Sequence, residues 1–292
     1  MEQAPTQKRN LSTRMVEALT GNGDLVPDLW LSDALSDRIE LSSGVQILDE
    51  KVCHELGYDS DSVIPTDTWR VPDRRQRAAL FGIAKNYCPW SRGVSLGQAS
   101  GELRRAAETI RRLGLASQAE ANSFMKTRDF RRCAVSFEKL ARSRSLFPTP
   151  RPRILGISVI AKDLITTTTD RNTGHQIGLH LDSWDGREFR ARDLCRNRIC
   201  LNLGEEDRFL LFCNVTISTI AMSLIDHSLH RESSRSFIRA FFDSFHQYPI
   251  LRMRIAPNEY YIAPTENIIH DSTTLGKSKN DVAITALGYF RL

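Results

Sequence analysis

The hydrophobic pattern changes character near Pro148, Pro150 and Pro152. Before this boundary, apolar residues recur at helical spacing, and Leu103, Ala106, Ala107, Ile110 and Leu113 share one face. Ser100 fits the N-cap of that helix and Gly114 its C-terminal glycine. Ser117 starts a further helix, and a short one is expected from about Val135 through Phe137 and Leu140. An earlier helix is expected from about Ala78 to Ala84, closing near Pro89. Residues 1–75 carry only short apolar pieces (Leu25-Val26, Val45 to Leu48, Val63-Ile64) among Asp, Ser, Gly and Pro, which predicts short helices and loops. After Pro152 the texture becomes β-branched and short-ranged. Strands are expected at Ile154–Ile160, Gln176–Leu181, Arg198–Leu203, Phe209–Val215, Ile250–Ile255, Tyr260–Ile262, Asn267–Ile269 and Val282–Phe290. One helix, Ser233–Phe245, interrupts them with Phe237, Ile238, Phe241 and Phe242 on its apolar face. The expected organisation is α+β: a mainly helical region, 1–150, packed on a β-rich region, 151–292, as one unit. So many short strands point to a sandwich or barrel.

Composition narrows the class. The 292 residues are 41% hydrophobic and 26% charged, and mean hydropathy is −0.33, which is globular. No apolar run approaches the ~20 residues of a membrane span. The N-terminal stretch lacks the apolar core of a signal peptide, so a soluble, cytoplasmic protein is expected. Six cysteines without a CxxC read as free thiols rather than a zinc knuckle or redox pair. Net charge is +5, and residues 101–153 hold 13 Lys/Arg against 5 Asp/Glu, a local +8 that leaves the remainder at −3. Such a segment is either a solvated helix face or a surface for an anionic partner.

Candidate chemistry lies among the seven histidines. A mononuclear iron site takes two imidazoles and one carboxylate on one face, with open positions beside them. His-x-Asp on a strand presents the first two, because residues i and i+2 point the same way. With 35 acidic residues in 292, about one His-x-acid is expected by chance, and two occur. His230-Arg-Glu232 precedes a charged helical stretch, where i and i+2 do not face together. In Gly178-Leu179-His180-Leu181-Asp182, by contrast, the leucines alternate with His180 and Asp182, which then point into the barrel. His270 ends the penultimate strand and precedes a polar loop, Asp271 to Asp281, which makes it the candidate third ligand.

The run His180-x-Asp182 … His270 on a β-rich C-terminal half resembles the Fe(II)/2-oxoglutarate-dependent oxygenases. The resemblance covers about residues 150–292. It implies a double-stranded β-helix, or jelly roll, of the cupin type, with His180, Asp182 and His270 as catalytic iron ligands. It also implies Fe(II) and 2-oxoglutarate as cofactors, dioxygen as co-substrate and hydroxylation as the default outcome. Asp182 argues against halogenation, because halogenases of this class lack the carboxylate ligand. Many members hold the distal carboxylate of 2-oxoglutarate with an Arg shortly after the last His, but Asn280 to Ile284 contain none. Lys277 and Lys279 come slightly earlier and Arg291 later. In the JmjC and asparaginyl-hydroxylase type, a basic residue on an earlier strand does this work, and Arg208 falls there. Arg198 is the next candidate, and Asn202 would hydrogen-bond the inner carboxylate. Trp184, Asp185, Glu266, Arg252 and Arg254 are candidate contacts for a small polar substrate such as an amino acid or a natural-product intermediate.

Two other readings belong to different classes. A cupin-type enzyme could use zinc or another divalent ion without 2-oxoglutarate. Alternatively, the basic helices of 101–153 could bind nucleic acid through Arg104/Arg105, Arg111/Arg112 and Arg131/Arg132. Aromatic interleaving there is sparse, with only Phe124, Phe130 and Phe137, which disfavours a stacking platform. Helices covering such a barrel often mediate homodimers, but the sequence marks no interface.

Overall fold

In the computed structural model, which describes residues 27–83, 90–223 and 233–292, the chain is mixed α+β. The first part contains β1 (Trp30–Leu31), β2 (Ile39–Leu41), β3 (Val45–Ile47), α1 (Glu50–Leu56), β4 (Tyr58–Pro65), α2 (Arg74–Phe81) and β5 (Gly93–Gln98). Then come α3 (Gly101–Leu113), α4 (Gln118–Phe124) and α5 (Arg128–Arg144). The second half holds β6 (Arg153–Ile160), β7 (Gln176–Gly178), β8 (Asn197–Asn202), β9 (Arg208–Thr216), α6 (Ile217–Ser223) and α7 (Ser234–Ser244). It ends with β10 (Leu251–Ile255), β11 (Glu259–Ala263), β12 (Ile268–Thr273) and β13 (Asp281–Gly288).

The expected strands of the second half form, most of them within a residue or two of their expected limits. The caps also form. Ser100 and Ser117 accept the amides of Leu103 and Glu120, and Gly114 adopts φ +61°. Several expectations need correction. The first half holds strands as well as helices and loops: residues 30–98 supply five strands, three of which join the two large sheets. Their apolar pieces are too short to show a period, and only pairing with distant strands fixes them. The short helix expected near Val135 is one part of the 17-residue α5. The loop expected from Asp271 starts later, because β12 continues to Thr273. The helix expected at Ala78–Ala84 starts earlier, at Arg74, and ends at Phe81 with Gly82 as its cap; its closure near Pro89 and the thiol of Cys88 lie outside the described residues.

A six-stranded sheet has the order β1-β5-β11-β8-β13-β6, and a four-stranded sheet the order β12-β9-β10-β2. A third, β3-β4-β7, lies beside them. None closes into a barrel. Strand alternation sorts the side chains into layers. Leu210 and Phe212 of β9 pack with Cys200, Tyr261 and Met253 between the two large sheets. Leu211, Cys213 and Val215, on the opposite face of β9, pack under Phe237, Phe241 and Phe242 of α7. Ile199 and Leu201 of β8 meet Leu103, Ile110 and Phe137 of the α3–α5 layer. Both large sheets are therefore covered outside by helices. The space between them is left to the inward residues of β8, β9, β11 and β12.

The segment after β7 closes one end of this space. Gly178 has φ +70°, and a Cβ there would lie 2.5 Å from the carbonyl oxygen of Val63 in β4. Gly178→Ala is expected to cost about 1–3 kcal/mol through backbone strain and to displace the chain two residues before His180. A thermal melt checks the first effect and a metal titration the second. An unchanged melt would show that the backbone relaxes there without cost.

Candidate metal centre

Cross-strand pairing brings the two histidines together. The amide of His180 donates to the carbonyl of His270, and the amide of His270 donates back to the carbonyl of His180, both at 2.9 Å. This is a directly opposed, hydrogen-bonded antiparallel pair, the register that sets side chains of the same face side by side. The imidazole centroids are 4.5 Å apart. Leu179 and Leu181 point away into the cluster under α7, so His180 and Asp182 face the opposite side. One donor atom each from His180, Asp182 and His270 can be chosen so that all lie within 4.8 Å of one another. The three residues line a cleft of about 670 Å³ between the sheets, together with Arg198, Arg208 and Tyr261.

The ring nitrogens are sorted by their neighbours. His180 Nδ1 lies 3.1 Å from the carbonyl oxygen of Gly178, and His270 Nδ1 lies 3.3 Å from that of Ile268. A carbonyl only accepts, so each Nδ1 carries the hydrogen in the neutral ring and each Nε2 keeps its lone pair. His180 Nδ1 also lies 3.5 Å from Asp271 Oδ2. Asp271 Oδ1 accepts from the amide of Thr167 and the hydroxyls of Thr167 and Thr168 at 3.0–3.2 Å. A carboxylate behind an imidazole is the usual outer support of a metal-binding histidine.

Asp182 is held in two ways. Its side chain pairs with Arg198, and its backbone carbonyl accepts from the buried Arg192, which also donates to the carbonyl of Glu266. Burial alone would raise the Asp182 carboxyl, but Arg198 and the two imidazoles outweigh it and bring it down to about 2, so the group is ionised. Burial pushes the His270 imidazolium down, the charge of His180 adds to this, and the ring falls to about 3 and is neutral. At His180 burial also acts downward, but the Asp271 carboxylate, aided by Asp182, turns the net direction upward. Two imidazoles with outward-supported Nδ1 atoms and one ionised carboxylate are a donor set that fits a divalent ion.

The other expected side chains scatter. Trp184 stands exposed at the mouth of the cleft, with the Arg153 guanidinium 5.9 Å from its ring centre. Arg198 and Arg208 line the cleft. Asn202 does not. Its Nδ2 donates to the carbonyls of Glu206 and Ile255 and its Oδ1 accepts from Gly204, which makes it the brace of the β8–β9 turn. Asp185 and Glu266 are also outside the cleft. Asp185 pairs with Arg196, and both Glu266 oxygens accept the Asp185 amide at 3.1 Å. With Cys195 these two form a second cluster of candidate ligands. Burial pushes that thiol up to about 12, and Asp185 is already committed, so the cluster is a structural brace. Arg252 pairs with Glu40 and lies over Trp69, and Arg254 pairs with Asp207; both are remote from the cleft. A local pattern cannot show this, because each partner is distant in sequence. Arg192, Asp271, Thr167 and Tyr261 escaped sequence reasoning for the same reason.

The basic helices are partly self-neutralised. Arg132 pairs with Asp129 and Arg142 with Glu138, and Arg111 donates to Asn258 and to the carbonyl of Gly204. No helix among the described residues is long and apolar enough to cross a membrane. Comparison of the chain with family models, with curated proteins and with solved structures finds no match.

Proposed function

We propose that the protein is a non-haem iron(II) and 2-oxoglutarate-dependent oxygenase that hydroxylates a small polar molecule. The observation that carries this reading is the opposed pair His180 and His270, with Asp182 beside it, at the wall of a cleft. Strand order supports the jelly-roll part of the reading. The sheets contain β6-β13-β8-β11 and, counting the His180 segment bridged to β12, that segment followed by β12-β9-β10. Each step from β6 to β9 and from β10 to β13 then passes from one sheet to the other, as wound Greek keys require.

The charge around Arg208 supports a dicarboxylate. Arg208 pairs with Asp281 Oδ2, and Lys277 Nζ lies 2.8 Å from Asp281 Oδ1. One carboxylate thus answers two buried cations and leaves one positive charge over. Burial lowers the Lys277 ammonium to about 8, with the Arg208 charge adding to the effect. Nε of Arg208 is buried with no partner among the described residues. A carboxylate arriving beside Arg208 would meet both an unused donor and the surplus charge.

When bound, iron(II) with 2-oxoglutarate would supply decarboxylation to succinate and carbon dioxide, with one atom of dioxygen entering a substrate C–H bond. His180, Asp182 and His270 would hold the metal, Arg208 would orient the dicarboxylate, and Leu210 and Tyr261 would exclude water from that end of the cleft. The test is anaerobic addition of Fe(II) and then 2-oxoglutarate to the purified protein, followed by absorbance. A weak visible charge-transfer band is expected. Metal binding without the band would favour a divalent-metal enzyme that does not use 2-oxoglutarate. No metal binding would sink both readings and send attention to the basic helices, where salt-dependent affinity for oligonucleotides would be the next measurement.

A further inference from the structure

Four arginines and two aspartates line the cleft. Arg198 answers Asp182, Arg208 shares Asp281 with Lys277, and Asp271 faces His180. A divalent metal and a dicarboxylate dianion would cancel each other. Arg153 and Arg171 are left over. Both are exposed and line the cleft, and neither meets a carboxylate among the described residues. Other arginines, among them Arg38, Arg92, Arg196, Arg235, Arg239 and Arg252, are ion-paired.

Their placement is structural. Arg153 begins β6, an edge strand paired only with β13, so its side chain has no neighbouring strand to cover it. The Trp184 ring beside it limits where the guanidinium can lie. Arg171 sits in the turn whose Asp170 side chain accepts the amides of Asn172 and Thr173. The turn is joined to β7 by the Thr169–Gln176 bridge, on the chain that leads to His180.

We infer that Arg153 and Arg171 form the recognition site for an anionic group of the substrate, a carboxylate or a phosphate, with Trp184 against its apolar part. The substrate class is therefore a small organic anion. This rests on the proposed oxygenase reading only for calling the ligand a substrate; the anion site itself needs no metal. It also moves substrate recognition from Arg252 and Arg254, which are already paired, to two arginines that are not.

The test titrates phenyl phosphate and benzoate, with phenol as the neutral control, into the metal-free protein by calorimetry. One of the two anions is expected to bind and phenol not, and the stronger anion identifies the group. Arg153→Gln/Arg171→Gln should weaken that binding by about tenfold or more, while Arg254→Gln, which lies outside the cleft, should leave it within about twofold. Equal affinity in the double variant, or no binding of either anion to the wild type at millimolar concentration, would overturn the inference. Zinc titration of the same proteins is read separately. Anion binding that depends on the two arginines in a protein that takes up no metal would retain the anion site and remove the oxygenase reading. Metal uptake with anion binding indifferent to the arginines would do the reverse.

Discussion

Alanine at His180 or His270 is expected to weaken Zn(II) or Mn(II) binding by at least about 100-fold, because each removes one of three donors and changing an outer support alone costs up to that much. Both variants should fold, since each removes a ring that lines a cleft. Asp182→Ala should lose metal to the same extent, but it should not behave as a silent truncation. Arg198 is largely buried and takes its charge balance from Asp182. Breaking such a pair on one side costs about 3–5 kcal/mol, so the metal-free variant should melt well below the wild type. Calorimetry with the metal and a thermal melt without it separate the two effects. Wild-type metal affinity in any one variant would remove that residue from the ligand set. A wild-type melt for Asp182→Ala would mean that Arg198 finds another partner.

The site was legible in sequence where its geometry is local. Alternation through Leu179-His180-Leu181-Asp182 is enough to set two ligands on one face, and the leucines do turn away into the cluster under α7. The long second-half strands were legible for the same reason, because β-branched runs between turn residues have one economical conformation. What pairing alone decides was not legible. β1 and β2 are two and three residues long, and they become strands only by joining the edges of sheets built elsewhere in the chain. His270 could be placed near a strand end, but its position directly opposite His180 is a matter of register, which no local pattern contains. Arginines were the least legible residues. Arg192, Arg198, Arg208, Arg252 and Arg254 look alike in sequence, and their roles are set by Asp182, Asp281, Glu40 and Asp207, each at least ten residues away.

Arg208 and Asp281 should respond to substitution in opposite ways, and the contrast identifies the dicarboxylate anchor. Arg208→Ala leaves Lys277 and Asp281 as a neutral pair at 2.8 Å, so the fold should lose little. The variant should need about 10–100-fold more 2-oxoglutarate, the worth of one charge-assisted contact. Asp281→Asn leaves Arg208 and Lys277 buried together without their shared counter-charge. That protein should be less stable by about 3–5 kcal/mol, yet bind 2-oxoglutarate at least as well as the wild type, because the arriving dianion replaces the missing charge. Binding to the native state alone raises the melting point, so 2-oxoglutarate should stabilise Asp281→Asn more than the wild type and Arg208→Ala less. Melts of the three metal-loaded proteins across a 2-oxoglutarate series decide the matter. Equal shifts in all three would place the anchor elsewhere, with Arg198 the next side chain to replace.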